Sequence, residues 1–178
     1  MKNLFKQKIR LSFVLFFLLT LSVSIAQTDE AVIVDSDFPN RAGLIASLPV
    51  AVTMIESDAA ANLAETLKQA MAENPSVKNI HLFAPSTETS ISMGEMAYTA
   101  EVLDQQLTSS DFSTNRDITL YVYSCTLAKN PSGISLLENI SSKTGFNVAS
   151  CASCKELNEE FKFDYSVRPL TITSNLFE

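Results

Sequence analysis

The chain has 178 residues, 46% of them hydrophobic, and a formal net charge of −7 at pH 7. It is long enough to bury a substantial core, and its acidic balance argues against partners that are polyanions, such as nucleic acid and anionic lipid. Neither an internal repeat nor a linker divides the sequence, so we predict a single domain.

The amino-terminal segment has the pattern of a cleaved secretory signal. Four basic residues among the first ten precede an apolar run from Leu11 to Ala26, and Ser24 and Ala26 are the small residues that signal peptidase accepts. The run is shorter than the ~20 apolar residues of a membrane span. We therefore predict a signal peptide over residues 1–26 and a secreted or periplasmic protein with no membrane span after cleavage. The mature chain, 27–178, keeps nine of the thirteen basic residues and all twenty acidic residues, a net charge of −11.

The first half of the mature chain alternates predicted strands with predicted helices. Continuous apolar, β-type runs predict strands over 31–35, 50–55 and 77–83. Between them, the sequence predicts a short helix over 41–48 and a longer one over 59–73, capped by Ser57 or Asp58. This alternation favours a parallel sheet with right-handed crossovers.

The second half begins with a predicted hairpin over 91–97 and a helix that runs from its cap, Thr99, to residue 107. A fourth strand is predicted over 118–123. The next helix has three end signals: Asn130 as its cap, Pro131 at its first position and Gly145 just beyond its end. A fifth strand follows over 146–149, then a possible sixth over 161–166 and a short C-terminal tail over 171–178. The pattern is that of an α/β fold.

Three cysteines fall at the ends of predicted strands. Cys125 follows the fourth strand, while Cys151 and Cys154 follow the fifth. The carboxyl ends of neighbouring parallel strands lie ~5 Å apart. Cys125 can therefore reach either Cys151 or Cys154 within the ~4.4–6.8 Å Cα separation that a disulfide requires. All three are disulfide candidates, and the odd count leaves one thiol free or bonded between molecules.

Cys151 and Cys154 also form a C-x-x-C pair, which admits other interpretations. In thioredoxin-like redox proteins the motif opens a helix after an early strand, whereas here it falls late in the chain. A structural disulfide is the favoured interpretation in an oxidising compartment. A zinc site needs four ligands, which the three cysteines and His81 would only just supply, with His81 inside a strand. We predict no metal and no cofactor.

Cys125 has the position of a nucleophile, but the sequence offers it no base. His81 is the only histidine, and it precedes the end of its strand by about four residues, roughly 13 Å from the edge where Cys125 emerges. A base must come within ~2.6–3.2 Å of its nucleophile. We therefore predict that His81 packs beside the sheet. Asp35 and Asp164 are carboxylates at strand ends without an evident partner.

Three segments of the chain resemble the bacterial domain of unknown function 4347 (DUF4347). They are Ile-His-Leu-Phe-Ala-Pro-Ser at 80–86, Leu-Tyr-Val-Tyr-Ser-Cys-Thr-Leu-Ala at 120–128 and Thr-Gly-Phe-Asn-Val-Ala-Ser at 144–150. Family members carry an Ile-His-Leu strand that ends in Ser-His-Gly, a strand that ends in Tyr-Gly-Cys and a Thr-Gly-Ala-Asp-Val-Ala-Ala-Ser segment. The similarity covers most of residues 31 to about 165. It implies the three-layer αβα sandwich of caspase-like (clan CD) cysteine peptidases, with a mostly parallel sheet of about six strands.

The chain departs from the family at the residues that carry the implied chemistry. Cys125 matches the family's nucleophile, but Pro85 stands where the family has its catalytic histidine, and Ser124 replaces a glycine. The resemblance thus implies a vestigial nucleophile at Cys125 and a lost base at Pro85. The additional cysteines, 151 and 154, suggest a disulfide that masks Cys125.

We expect a secreted, non-catalytic pseudo-peptidase that serves as a binding or structural domain of the cell envelope or surface. Its partner is expected to be a protein or a cell-surface component that the sequence does not identify. Two alternatives stay open. One is a cysteine peptidase or autoprocessing domain that uses Cys125. The other is a thiol–disulfide redox protein that uses Cys151 and Cys154.

Overall fold

The computed structural model describes residues 28–108, 112, 117–157, 161–170, 174 and 176. The predicted signal peptide lies outside the described residues, as does the predicted C-terminal tail apart from Ser174 and Leu176. The described residues form a six-stranded, mostly parallel sheet with four α-helices, which confirms the predicted α/β fold. Among these helices, none has the length and apolar character needed to cross a bilayer.

The helices and strands follow one another in the predicted order. The strands are β1 (Glu30–Val34), β2 (Thr53–Glu56), β3 (Asn79–Phe83), β4 (Ile91–Met93), β5 (Met96–Tyr98), β6 (Thr119–Val122), β7 (Asn147–Ser150) and β8 (Tyr165–Ser166). The helices are α1 (Arg41–Ser47), α2 (Leu63–Glu73), α3 (Ala100–Gln106) and α4 (Pro131–Thr144), with a 3₁₀ helix at Leu127–Lys129.

The central sheet has the strand order β2-β1-β3-β6-β7-β8. The first five strands are parallel, and β8 runs antiparallel to β7 at the edge. Strands β4 and β5 form a separate antiparallel hairpin. Because β3, β6 and β7 are neighbours, the loops that follow them meet at one edge of the sheet, as the cysteine positions required.

The two faces of the sheet are covered differently. Leu82 of β3 and Leu120 of β6 face a core that α2, α3 and α4 complete. The alternate residues of the same strands point to the opposite face. There Phe83, Tyr121 and Tyr123 pack against α1 and against Phe161 and Phe163, which precede β8. Helices thus lie on both faces, three on the first and one short helix on the second.

The start of α2 differs from the prediction. It begins at Leu63, where the Asn62 side chain accepts a backbone N–H of the first turn. Neither predicted cap serves the helix, because Ser57 donates its hydroxyl hydrogen to Asp35 at 2.8 Å and Asp58 accepts a backbone N–H within its own turn. A cap residue satisfies a helix only if its side chain is not already engaged elsewhere.

Helix ends that depend on local signals match their predictions. Thr99 caps α3, and α4 has Asn130 as its cap, Pro131 at its first position and Gly145 in the left-handed conformation beyond its end. The sixth strand is much shorter than predicted. The segment before β8 carries Phe161 and Phe163 into the second core, and residues 161–164 do not pair with β7.

Candidate functional site

Cys125 lies at the carboxyl edge of the sheet, three residues beyond β6 and two residues before the 3₁₀ helix that leads into α4. The residue is half-buried. This is where an open α/β sheet presents side chains to a ligand or substrate. The structure therefore places Cys125 at the edge of the sheet that the sequence predicts for it.

Cys125 is joined to Cys154 by a disulfide, with their Cα atoms 5.3 Å apart. The sequence left Cys151 and Cys154 as equal candidates. The structure keeps Cys151 as a fully buried thiol in the second core, directly after β7. Its sulfur accepts the backbone N–H of Cys154 at 2.9 Å. The three cysteines thus share one edge of the sheet, and Cys154 contacts both of the others.

Two side chains hold the loop that carries Cys154. The ammonium group of Lys129 contacts the carbonyl oxygen of Cys154, and Asp164 accepts the backbone N–H of Ala152 at 2.6 Å. Partial burial tends to raise the pKa of Asp164, but hydrogen bonds from Ser153 and from backbone N–H groups outweigh it and lower that pKa. The carboxylate is therefore the form that the loop binds. Asp164 has a partner after all, one that the sequence did not reveal.

Ser124 links the loops that follow β3 and β6. Its hydroxyl oxygen accepts a hydrogen bond from the Ser86 hydroxyl at 2.8 Å and lies 3.3 Å from the N–H of Leu127. Pro85, next to Ser86, accepts the N–H of Ser92 through its carbonyl oxygen at 2.8 Å. The side chain at position 85 is a ring without a proton-accepting nitrogen. Around Cys125 the loops are thus tied by hydroxyl groups, which are poor bases.

His81 lies inside the sheet, well away from the edge. It pairs in register with Tyr121 of β6, four residues before Cys125, which corresponds to roughly 13 Å along the strand. The imidazole is fully buried. Its Nε2 lies 2.7 Å from a Glu30 carboxylate oxygen, and its Nδ1 lies 3.1 Å from the Tyr123 hydroxyl. Both ring nitrogens are therefore occupied, as predicted for a packed histidine.

The Glu30 carboxylate is the centre of this buried polar cluster. It also accepts hydrogen bonds from Asn79 at 2.7 Å and Ser174 at 3.2 Å. Burial tends to raise the pKa of Glu30, but the hydrogen bonds from His81, Asn79 and Ser174 and the attraction to His81 outweigh burial and lower it. At Tyr123, burial raises the pKa of the phenol far above its ordinary value, so the hydroxyl stays protonated.

The lowered pKa of Glu30 makes a specific pH dependence expected. A carboxyl group with a depressed pKa in the folded state stabilises the fold above its unfolded pKa of about 4.5, and this contribution is lost as the pH falls through the lower, folded pKa. We expect the difference in urea midpoint between the protein and its Glu30→Gln variant to shrink as the pH is lowered from about 6 to about 3. A difference that grows on acidification would contradict this assignment.

Asp35 performs a structural task at the same edge of the sheet. It follows β1, is fully buried and accepts three hydrogen bonds, from the Ser57 hydroxyl at 2.8 Å and the backbone N–H groups of Asp37 and Gly94 at 2.9 Å. The carboxylate thereby joins the ends of β1 and β2 to the β4–β5 hairpin. These three hydrogen-bond partners are groups of the protein itself, so Asp35 is engaged in holding the edge together.

The described residues contain no group of three or more His, Cys, Asp or Glu side chains that could hold a metal ion. They form a cavity of about 370 Å³ between α1 and the carboxyl end of β3, with Phe38, Leu44, Phe83 and Leu157 in its wall. A larger groove of about 790 Å³ lies between α2, the hairpin and the end of α3. Neither Pro85 nor Cys125 is among the described residues that line these two cavities.

The sequence identifies the cysteines but not the side chains that hold the surrounding loops in place. The roles of Lys129 and Ser86 depend on loops that approach each other only in the folded chain, and no spacing pattern marks them. Of these residues, only Asp164 carried a signal in the sequence, because it is a carboxylate at a predicted strand. That signal does not point to the loop that Asp164 binds, which lies earlier in the chain. Functional contacts between loops are thus visible mainly in three dimensions.

Comparison with known families gives one match. The model of the family described as a domain of unknown function (DUF4347) matches residues 31–155, which run from β1 past Cys154 and include Pro85 and Cys125. No curated protein matches the chain significantly, and no solved structure does. The matched region covers every strand of the sheet except β8 and the first residue of β1, together with all four helices.

Proposed function

Because the chain belongs to the DUF4347 family of domains of unknown function, we propose that it is a non-catalytic binding domain that has lost the chemistry of a cysteine peptidase. The proposal keeps the caspase-like architecture that the resemblance implies. The parallel sheet and the position of Cys125 at its carboxyl edge are compatible with that architecture.

The observation that carries the proposal is the state of Cys125. Its sulfur is bonded to Cys154, and a sulfur in a disulfide has no thiolate with which to attack a carbonyl group. In this proposal, the position that matches the family's nucleophile is blocked by a disulfide. A blocked nucleophile is expected in a domain that uses this edge of the sheet for structure or binding and not for catalysis.

The surroundings of Cys125 support the same conclusion. Pro85 cannot accept a proton, and the hydroxyl groups of Ser86 and Ser124 are bound to each other. His81 has both ring nitrogens engaged by Glu30 and Tyr123. General-base catalysis contributes typically ~10²–10⁴-fold to a reaction rate. Loss of the base would remove that factor even if the disulfide were reduced.

We propose that the domain acts in the periplasm or at the cell surface. The leader pattern of residues 1–26 supports secretion, and a disulfide persists in an oxidising compartment. The acidic mature chain favours a protein or another uncharged or basic surface component as its partner, and not a polyanion. The two cavities next to α1 and α2 are the concave surfaces that such a partner would find.

The test uses protein purified from an oxidising compartment, then reduced and freed of reductant, so that the disulfide does not decide the result. Iodoacetamide measures ordinary thiol reactivity, and a peptidyl acyloxymethyl ketone measures capture by a peptidase site. Cys154 is the matched internal control, because it is half-buried like Cys125. Labelled positions are assigned by peptide mass.

We expect iodoacetamide to label Cys125 and Cys154 at rates within about tenfold of each other, rising with pH toward about 8.5, and the peptidyl reagent to show no preference for Cys125. Capture of Cys125 by the peptidyl reagent ~100-fold faster than capture of Cys154 would overturn the proposal. That result would favour the peptidase alternative, in which an unidentified group activates Cys125.

A further inference from the structure

The disulfide at Cys125 has a third sulfur beside it. Cys151 is fully buried, and its Sγ lies 2.9 Å from the backbone nitrogen of Cys154. Since the nitrogen and sulfur of one cysteine are separated by two carbons, the Sγ of Cys151 lies within about 7 Å of the Sγ of Cys154. A buried thiol thus lies close to the Cys154 side of the disulfide.

Cys154 is bonded to Cys125 and also lies close to Cys151. Its Cα lies 5.3 Å from that of Cys125, within the usual range for a disulfide, and it is three residues from Cys151 in the C-x-x-C arrangement. The residues between, Ala152 and Ser153, belong to neither a helix nor a strand. A change of partner for Cys154 would therefore require the rearrangement of one short loop.

We propose that Cys151 is a resolving thiol that moves the disulfide from Cys125–Cys154 to Cys151–Cys154 and thereby unmasks Cys125. The inference rests on the proposed function, because it concerns the regulation of the same masked position. It assigns a role to the one cysteine that the masking disulfide leaves out.

The exchange balances without any external oxidant or reductant. As the loop that carries Cys154 rearranges, the Cys151 thiol loses its proton to solvent, and its thiolate attacks the Sγ of Cys154. The bond between Cys154 and Cys125 breaks as the new bond forms, and Cys125 leaves as a thiolate that takes up a proton. One disulfide and one thiol are present before and after the step. The change is therefore an isomerisation, and its rate follows the fraction of thiolate.

Because Cys151 is buried, the exchange starts from a thiol that reagents in solution do not reach, and it ends with a thiol that they do reach. Cys151 is closed to solvent, whereas Cys125 is half-buried at the edge of the sheet. Reagents in solution thus reach the thiol only after it has been transferred to Cys125. The contacts of Lys129 with Cys154 and of Asp164 with Ala152 hold the loop in the masked arrangement and oppose the transfer.

The experiment labels the oxidised, unreduced protein with iodoacetamide at about pH 6 and about pH 8.5, and maps labels and disulfides after digestion in acid. We expect the label on Cys125 and the disulfide between Cys151 and Cys154, with labelling faster at the higher pH. In Cys151→Ala, which retains only Cys125 and Cys154, we expect labelling of Cys125 at least about tenfold slower. Cys151→Ser provides a second variant if the alanine protein folds poorly.

Two results would overturn the inference. One is a label on Cys151 with Cys125 still bonded to Cys154, and the other is labelling of Cys125 that is as fast in both variants as in the parent protein. Two free thiols in Cys151→Ala before any incubation would also overturn it, because the masking disulfide would then be absent. None of these outcomes would indicate peptidase activity. The proposed loss of catalysis is tested separately, by the capture experiment on the reduced protein.

Discussion

Replacement of His81 by alanine is expected to lower the free energy of unfolding by about 3–5 kcal/mol and to leave the reactivity of Cys125 unchanged. The imidazole is fully buried, stacks on Tyr121 with ring centroids 5.1 Å apart and meets polar partners through both nitrogens. Its removal leaves a cavity and deprives the Glu30 carboxylate of the partner 2.7 Å away. Urea denaturation monitored by circular dichroism measures this loss.

Asn79→Ala is the matched control for this substitution. Asn79 lies in the same strand and donates to the same Glu30 carboxylate at 2.7 Å, but its side chain is only half-buried. We expect a cost of about 1 kcal/mol, the value of one hydrogen bond. The functional arm compares the alkylation rate of Cys125 in the reduced proteins, with His81→Gln as a milder variant. A fall of tenfold or more would identify His81 as a base for Cys125 and contradict the structural role.

Gly94→Ala is expected to cost about 3–4 kcal/mol, far more than the same change at Gly145. Both glycines have a positive φ, +56° at Gly94 and +75° at Gly145, so alanine is strained at either position. A Cβ at Gly94 would lie 2.5 Å from the carbonyl oxygen of Ala59 and 2.8 Å from that of Ala61, whereas at Gly145 it would meet nothing within 4 Å. Only Gly94 combines strain with a clash against backbone.

The pair of variants separates the two effects. Gly145→Ala reports the conformational strain alone, and we expect about 1–2 kcal/mol from it in urea denaturation. The excess at Gly94 reports the close approach of the hairpin to the segment before α2. This segment also includes Ser57, which shares the Asp35 carboxylate with the N–H of Gly94. Equal losses of stability at the two glycines would contradict this expectation. They would show that the hairpin can move away from the segment before α2 at no cost in free energy.

The parts of the fold that depend on neighbouring residues could be predicted from the sequence. The ends of α4 follow from Asn130, Pro131 and Gly145, which act within one turn of the helix. The start of α2 could not be predicted, because Ser57 is drawn to a carboxylate 22 residues earlier in the chain. Local signals rank candidate caps, but tertiary hydrogen bonds decide which candidate remains available.

The candidate site also has features that the sequence predicts and features that depend on the folded chain. The edge on which Cys125 emerges follows from the alternation of strands and helices, and the structure confirms it. The choice of Cys154 as the partner depends on a loop of irregular structure, which no periodicity describes. His81 could be recognised as remote from Cys125 by counting residues, but its partner Glu30 is 51 residues away in sequence and comes close only in the sheet.

The disulfide has a mechanical consequence if the domain is anchored at one end and pulled at the other. Cys125 and Cys154 are separated by 29 positions that include α4 and β7. An extended chain spans at most ~3.3–3.6 Å per residue, so the cross-link removes roughly 100 Å from the length that unfolding under tension can release. The crossover between β6 and β7 would remain a closed loop while the strands on either side were stretched. Reduction would restore this extension, which makes the bond a limit on how far the domain can lengthen under force.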